Sequence, residues 1–207
     1  MIGILLATAI ATGDYNYSAT RHGQNVGSSA ITIRANGDTT EIDERANTSL
    51  TGEPASGTAK LSLGADLAPL AYSASGDVGG QSVQDAASIS GSNATVTTIQ
   101  GLSNTVPLGS AAHFVVVDFG TLVGMIPLAA QARTWGNGGL MVLVPAFGQG
   151  IPVSIARAKP ARPAGVPAND VSVSFAGDMP LVIWYDPATF IPDYLAIPSQ
   201  DLAIVRQ

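Results

Sequence analysis

The chain has no cysteine among its 207 residues, which excludes a thiol nucleophile, a disulfide scaffold and any thiolate metal site. Charge is scarce as well. Only 12% of residues are charged, nine of them basic against 15 acidic, for a formal net charge of -6. Such a surface neutralises phosphates poorly, so nucleic acid is not an expected partner. The two histidines put a histidine-rich metal centre out of reach, and no metal or other cofactor is expected. Long apolar runs are missing too. The nearest approach to the roughly eighteen residues of a spanning helix is residues 115–132, which Asp118, Gly120, Gly124 and Pro127 break. No transmembrane span is therefore expected.

What is present is a 46% hydrophobic chain with 23 glycines and 13 prolines, long enough for one domain with a sizeable core. Residues 2–11 form a short apolar run in which Ala9 and Ala11 make an A-x-A pattern. This resembles the apolar region and cleavage site of a secretory signal that lacks its basic start. The expectation is a bacterial protein of the periplasm or another extracytoplasmic compartment. Residues 1–13 are then a truncated signal or a first strand, and residues 14–207 a single antiparallel β domain.

Strand signals dominate. Tyr15 and Tyr17 alternate with polar neighbours, and an apolar-small pattern follows over 26–34. Asn36-Gly37-Asp38 supplies a tight turn, because Gly37 tolerates positive φ, and residues 39–50 return as the partner strand. Further strands are expected at 59–63, 70–75, 82–90 and 94–100. In the last third they recur at 140–144, 151–157, 171–175, 181–185, 194–197 and 202–205. Glycine turns between short β-branched stretches favour an antiparallel meander over βαβ units. The one helix expected is at 119–133, where Leu122, Val123, Ile126, Leu128, Ala129 and Ala132 form a broad apolar stripe interrupted by Pro127.

Three segments carry a family resemblance: Tyr15-x-Tyr17 through Arg21-His22-Gly23-Gln24-Asn25-Val26-Gly27; Val117-Asp118-Phe119 with the apolar stretch after it; and Leu181-Val182-Ile183-Trp184-Tyr185-Asp186-Pro187, continuing through Phe190-Ile191-Pro192 to Leu195 and Val205. Together they cover about a third of the chain, and none is a catalytic motif. In this layout the chain resembles the DUF3108-like bacterial envelope proteins of unknown function, which look related to the lipoprotein-carrier (LolA-like) fold. The resemblance implies an exported, mainly β protein: a curved antiparallel sheet, a half-barrel or open barrel, with one helix packed on its concave side. It carries over no catalytic residue. Between Leu50 and Gly109 the chain departs from the family pattern, and its strand pairing is left open there.

The side chains with chemical potential have ordinary structural explanations beside the functional ones. Gly76-Asp77-Val78-Gly79-Gly80 lacks the lysine of a phosphate loop and reads as a hairpin turn. His22 and His113, with Asp14 or Asp118, would meet the ligand count of a metal site only if the fold joined them; His22 fits an exposed turn and His113 a strand start. Asp186 and Asp193 are placed like a glycosidase pair, yet Asp-Pro turn chemistry accounts for both. Glu41, Asp43, Glu44 and Glu53 form a mild acidic cluster without calcium-loop spacing. Alternation puts Glu41 and Asp43 on one face, the solvated one. Trp135, Phe147, Trp184, Tyr185, Phe190 and Tyr194 suit either a cavity mouth or plain core.

The leading expectation is a non-enzymatic cell-envelope protein that binds a lipid or small apolar ligand. Its cavity in the curved sheet would be lined by Val115, Val117, Leu122, Ile126, Val142, Val144, Ile183, Trp184 and Tyr185. One alternative is a structural or assembly module that pairs through its strand edges as a homo-oligomer or with another envelope protein. The other is a hydrolase acting through Ser110, His113 and Asp118.

Overall fold

A computed structural model describes residues 10–49, 54–109, 113–118, 120–135, 138–156, 160–177 and 180–207. The first eight strands are β1 Gly13–Arg21, β2 Gln24–Asn36, β3 Thr39–Thr48, β4 Ala55–Leu63, β5 Pro69–Val78, β6 Gln81–Ser90, β7 Asn93–Thr97 and β8 Ser103–Pro107. They form a continuous antiparallel meander. After β9 Phe114–Val116 and helix α1 Leu128–Trp135 comes a second meander: β10 Gly138–Val144, β11 Gln149–Ala156, β12 Val171–Ala176, β13 Leu181–Tyr185, β14 Pro192–Ile197 and β15 Leu202–Arg206. β15 pairs with β1, so the two meanders fuse into one open 15-stranded sheet with β8 and β9 at its edges.

Local turn chemistry sets the register. Asn36 faces Thr39 across Gly37 (φ 60°) and Asp38. Val78 faces Gln81 across Gly79 and Gly80, both at positive φ, the conformation that a right-twisted two-residue hairpin demands. The segment 54–109 thus continues the meander strand by strand. Its last strand, β8, had no counterpart in the sequence reading because Ser103–Pro107 buries one residue alone, Val106.

The sheet bends around residues 117–118 and 120–135. Its concave face carries Tyr17, Ile31, Ile33, Ile42, Leu61, Leu63, Ile183, Leu195, Leu202 and Ile204, each at most 4% exposed, and they pack with Leu122, Val123, Ile126 and Leu128 into one core. Each buried side chain of this size contributes about 1.5–3 kcal/mol. The seam opposite β1 and β15 is bridged without strand pairing: Ile99 N–H donates to Ala146 O and Asn104 Nδ2 to Gly148 O, both at 3.4 Å.

Two expectations change. β9 and β10 run parallel, an exception to the antiparallel rule. Parallel neighbours need a long crossover, which the stretch with α1 supplies. The helix also starts later than 119–133 and extends past it. Leu122 and Val123 send their N–H groups to a glutamate carboxylate instead of carbonyls four residues back. Gly124 then lies so close to β9 that a Cβ would sit 1.8 Å from Val116 O. Helix forms only after Pro127, whose missing N–H is no loss at a helix start, and Gln131 N–H closes the first turn on Pro127 O at 2.9 Å. Among the described residues no helix is long and apolar enough to cross a membrane. Most of the 2–11 run and Ser110 lie outside the described residues. Ile10 is 4% exposed in the core and Ala11 N–H donates to Thr189 O.

Candidate functional site

Alternation along β3 puts Ile42 and Glu44 on the concave face and leaves Glu41 and Asp43 outside. The outer pair is met by Lys60 Nζ (2.8 Å to Glu41) and Arg34 Nη1 (3.1 Å to Asp43), as expected of a solvated face. Glu44, 2% exposed, is the pin between sheet and insert. Its Oε2 accepts Leu122 N–H at 2.6 Å and Val123 N–H at 3.0 Å, and its Oε1 accepts Ser29 Oγ at 2.6 Å. Burial raises the carboxyl above its ordinary range, against the pull of these three donors.

Beside it, Tyr72 Oη on β5 donates to Asp118 Oδ2 at 3.1 Å, and Asp85 on β6 faces the same carboxyl. Desolvation, and then the Asp118 side chain, push Asp85 up to about 9. The two facing carboxyls thus favour holding a proton between them. Burial likewise raises the Tyr72 phenol.

Two cavities lie on either side of this cluster, and Asp118, Gly120 and Thr121 belong to the walls of both. The smaller, about 210 Å³, sits under the β9–β15 half and is walled by Val115, Val117, Val142, Val144, Phe175 and Leu202 among others. The larger, about 540 Å³, lies under β3–β6, where Ala46, Ala55, Gly57, Ala74 and Gly76 leave the concave face unfilled.

Of the nine residues expected to line a cavity, Val115, Val117, Val142 and Val144 do so. In the parallel register Val142 stands beside Val115, so both project from the same face. The other five stand elsewhere. Leu122 and Ile126 are consumed in the core beneath the insert, and Ile183 is 0% exposed there. Trp184 points to the opposite face from Ile183, as neighbours in a strand must, and lies under the Arg162 guanidinium at 4.5 Å. Tyr185 stacks on Phe190 at 5.9 Å.

The remaining candidates fall into separate places. His113 stacks on Trp135 with ring centroids 4.7 Å apart, while Asp118 is held by Tyr72 and Asp85. His22 sits in an exposed turn at φ 50°, its Nδ1 2.9 Å from Asp201. Asp186 takes Ala188 N–H and Thr189 Oγ1 in a turn, whereas Asp193 pairs with Arg206. Asp170, raised to about 6 by burial and by Asp193, completes that end. Among the described residues no group of three His, Cys, Asp or Glu side chains is placed to hold a metal ion. Sequence reasoning missed Tyr72, Asp85 and the inward role of Glu44. For Glu44 a signal existed: it shares the parity of Ile42.

No protein-family model matches the chain, and no curated protein does either. Among solved structures it is similar to the crystal structure of a DUF1089 family protein from Pseudomonas aeruginosa. The identity is 13% and the TM-score 0.52, over 83% of this chain and 90% of that one. At that identity the likeness is one of fold alone.

Proposed function

We propose that this protein is a non-enzymatic, extracytoplasmic binder of a lipid or another apolar ligand, held between the curved sheet and the Asp118–Leu128 insert. The observation that carries the reading is the valine-lined cavity of about 210 Å³ beside a second of about 540 Å³, with a common wall at Asp118 and Thr121. Together they fall within the roughly 300–1,000 Å³ usual for small-molecule sites. The apolar wall favours a chain-like ligand, and the few polar groups at Asp118 would fix its orientation. An envelope location, and kinship with the DUF3108-like proteins, belong to this proposal.

The test is binding of an environment-sensitive apolar fluorophore, alongside native mass spectrometry of protein purified from its own envelope. Wild-type protein should bind the probe and retain apolar mass. Val142→Trp, which fills the smaller cavity, should lose the probe while keeping its melting transition. A folded wild-type protein that binds no probe and carries no extractable ligand would sink the reading. Such a result, together with a concentration-dependent dimer, would favour assembly through β8, an edge strand beside Leu102, which is 62% exposed.

A further inference from the structure

We propose that the larger cavity selects a cationic ligand, a primary ammonium on an apolar body, and so refines the apolar-ligand reading on which it rests. Among the described residues, the wall of that cavity includes Glu44, Asp77, Asp85 and Asp118 and no lysine, arginine or histidine. Asp85 is 7% exposed, and its Oδ2 meets no N–H or O–H donor among the described residues. Thr48, 5% exposed on the same wall, has an unpaired Oγ1. These are acceptors waiting on donors, in a place where burial strengthens every electrostatic contact.

An ammonium brings three N–H donors, a positive charge and no acceptor. A carboxylate head would bring only acceptors and a like charge. A hydroxyl would bring one donor and no charge. The Tyr72 ring on the wall and Phe147 at the rim, 54% exposed, add aromatic surface that also favours a cation. Because Asp85 is held protonated by desolvation and Asp118, an ammonium beside it would let it ionise. The O–H bond of the acid breaks and its proton passes to bulk buffer, so the bound ammonium faces two carboxylates.

The experiment is isothermal titration calorimetry of the full chain at neutral pH with octylammonium, octanol and octanoate, each below its aggregation limit. Octylammonium should bind about tenfold tighter than octanol, the advantage of one charge-assisted contact, with octanoate weakest. Repeating the titration in two buffers of different ionisation enthalpy should reveal proton release for octylammonium alone. Asp85→Asn should erase that release and most of the tenfold preference of octylammonium over octanol. Equal affinity for the three ligands would overturn the charge selectivity and leave the apolar reading standing. Absence of binding by all three would overturn both. The wild-type ranking and the proton count decide the matter even if the variant fails to fold.

Discussion

Strands β2–β6 run 9–13 residues and carry alanine, glycine and threonine on much of their concave side, while β12–β15 run 5–6 residues and carry valine, isoleucine, leucine and phenylalanine there. Both halves belong to one sheet and wrap one insert. They differ in how much of the enclosed space the side chains occupy: about 540 Å³ stays open under the first half and about 210 Å³ under the second. Both halves bury carboxyls, Glu44 and Asp85 in the first and Asp170 and Asp193 in the second, but in the first they stand on the wall of the open space. The lesson is that the backbone curvature creates the space, and residue size decides whether it becomes core or pocket.

The largest disturbance should come where the insert meets the sheet most closely. Gly124→Ala drives a methyl against Val116 O with backbone on both sides, and a denaturant titration should show a loss of about 3 kcal/mol. Added volume then separates the halves. Ala129→Leu, at a site 0% exposed in α1, should cost about 2 kcal/mol by overpacking. Ala46→Leu on the wall of the larger cavity should instead stabilise by about 1 kcal/mol. If both substitutions destabilise equally, the contrast in free volume is broken.

A third measurement probes polarity. Asp85 is raised from 3.8 to about 9, so the folded state holds a proton that the unfolded chain has lost across that window. Its contribution to stability is complete below pH 3.8 and fades as pH rises towards 9. Asp85→Asn should flatten that decline, so the variant's gain over wild type grows from pH 5 to pH 9 in thermal melts. The smallest effect is expected on the outer face. Lys60→Ala breaks the exposed pair with Glu41 and should leave the denaturation midpoint where it is in wild type.

Much of the architecture was legible because its signals are local. Gly37 and the Gly79-Gly80 pair mark turns through φ, and alternation along Glu41–Glu44 assigns faces before any contact is known. The insert was read less well. Apolar periodicity over 119–133 suggested a helix throughout, but Glu44 captures the N–H groups of Leu122 and Val123, and Gly124 is pressed onto β9. Both causes lie in distant strands. The site was half legible for the same reason. Val115 and Val142 have the right parity, whereas Trp184 has the opposite parity to Ile183 and Tyr185 and so cannot share a wall with them.

By itself, the chain's order of glycines, β-branched residues and small polar residues determined a mainly antiparallel meander with one helix, because turn geometry and two-residue periodicity act over a few bonds. Only the tertiary structure decided that β1 would join β15, that Tyr72, Asp85 and Asp118 would meet, and that two cavities would share a wall. Those outcomes depend on how far the sheet curls and where a glutamate 78 residues before Leu122 finds its donors.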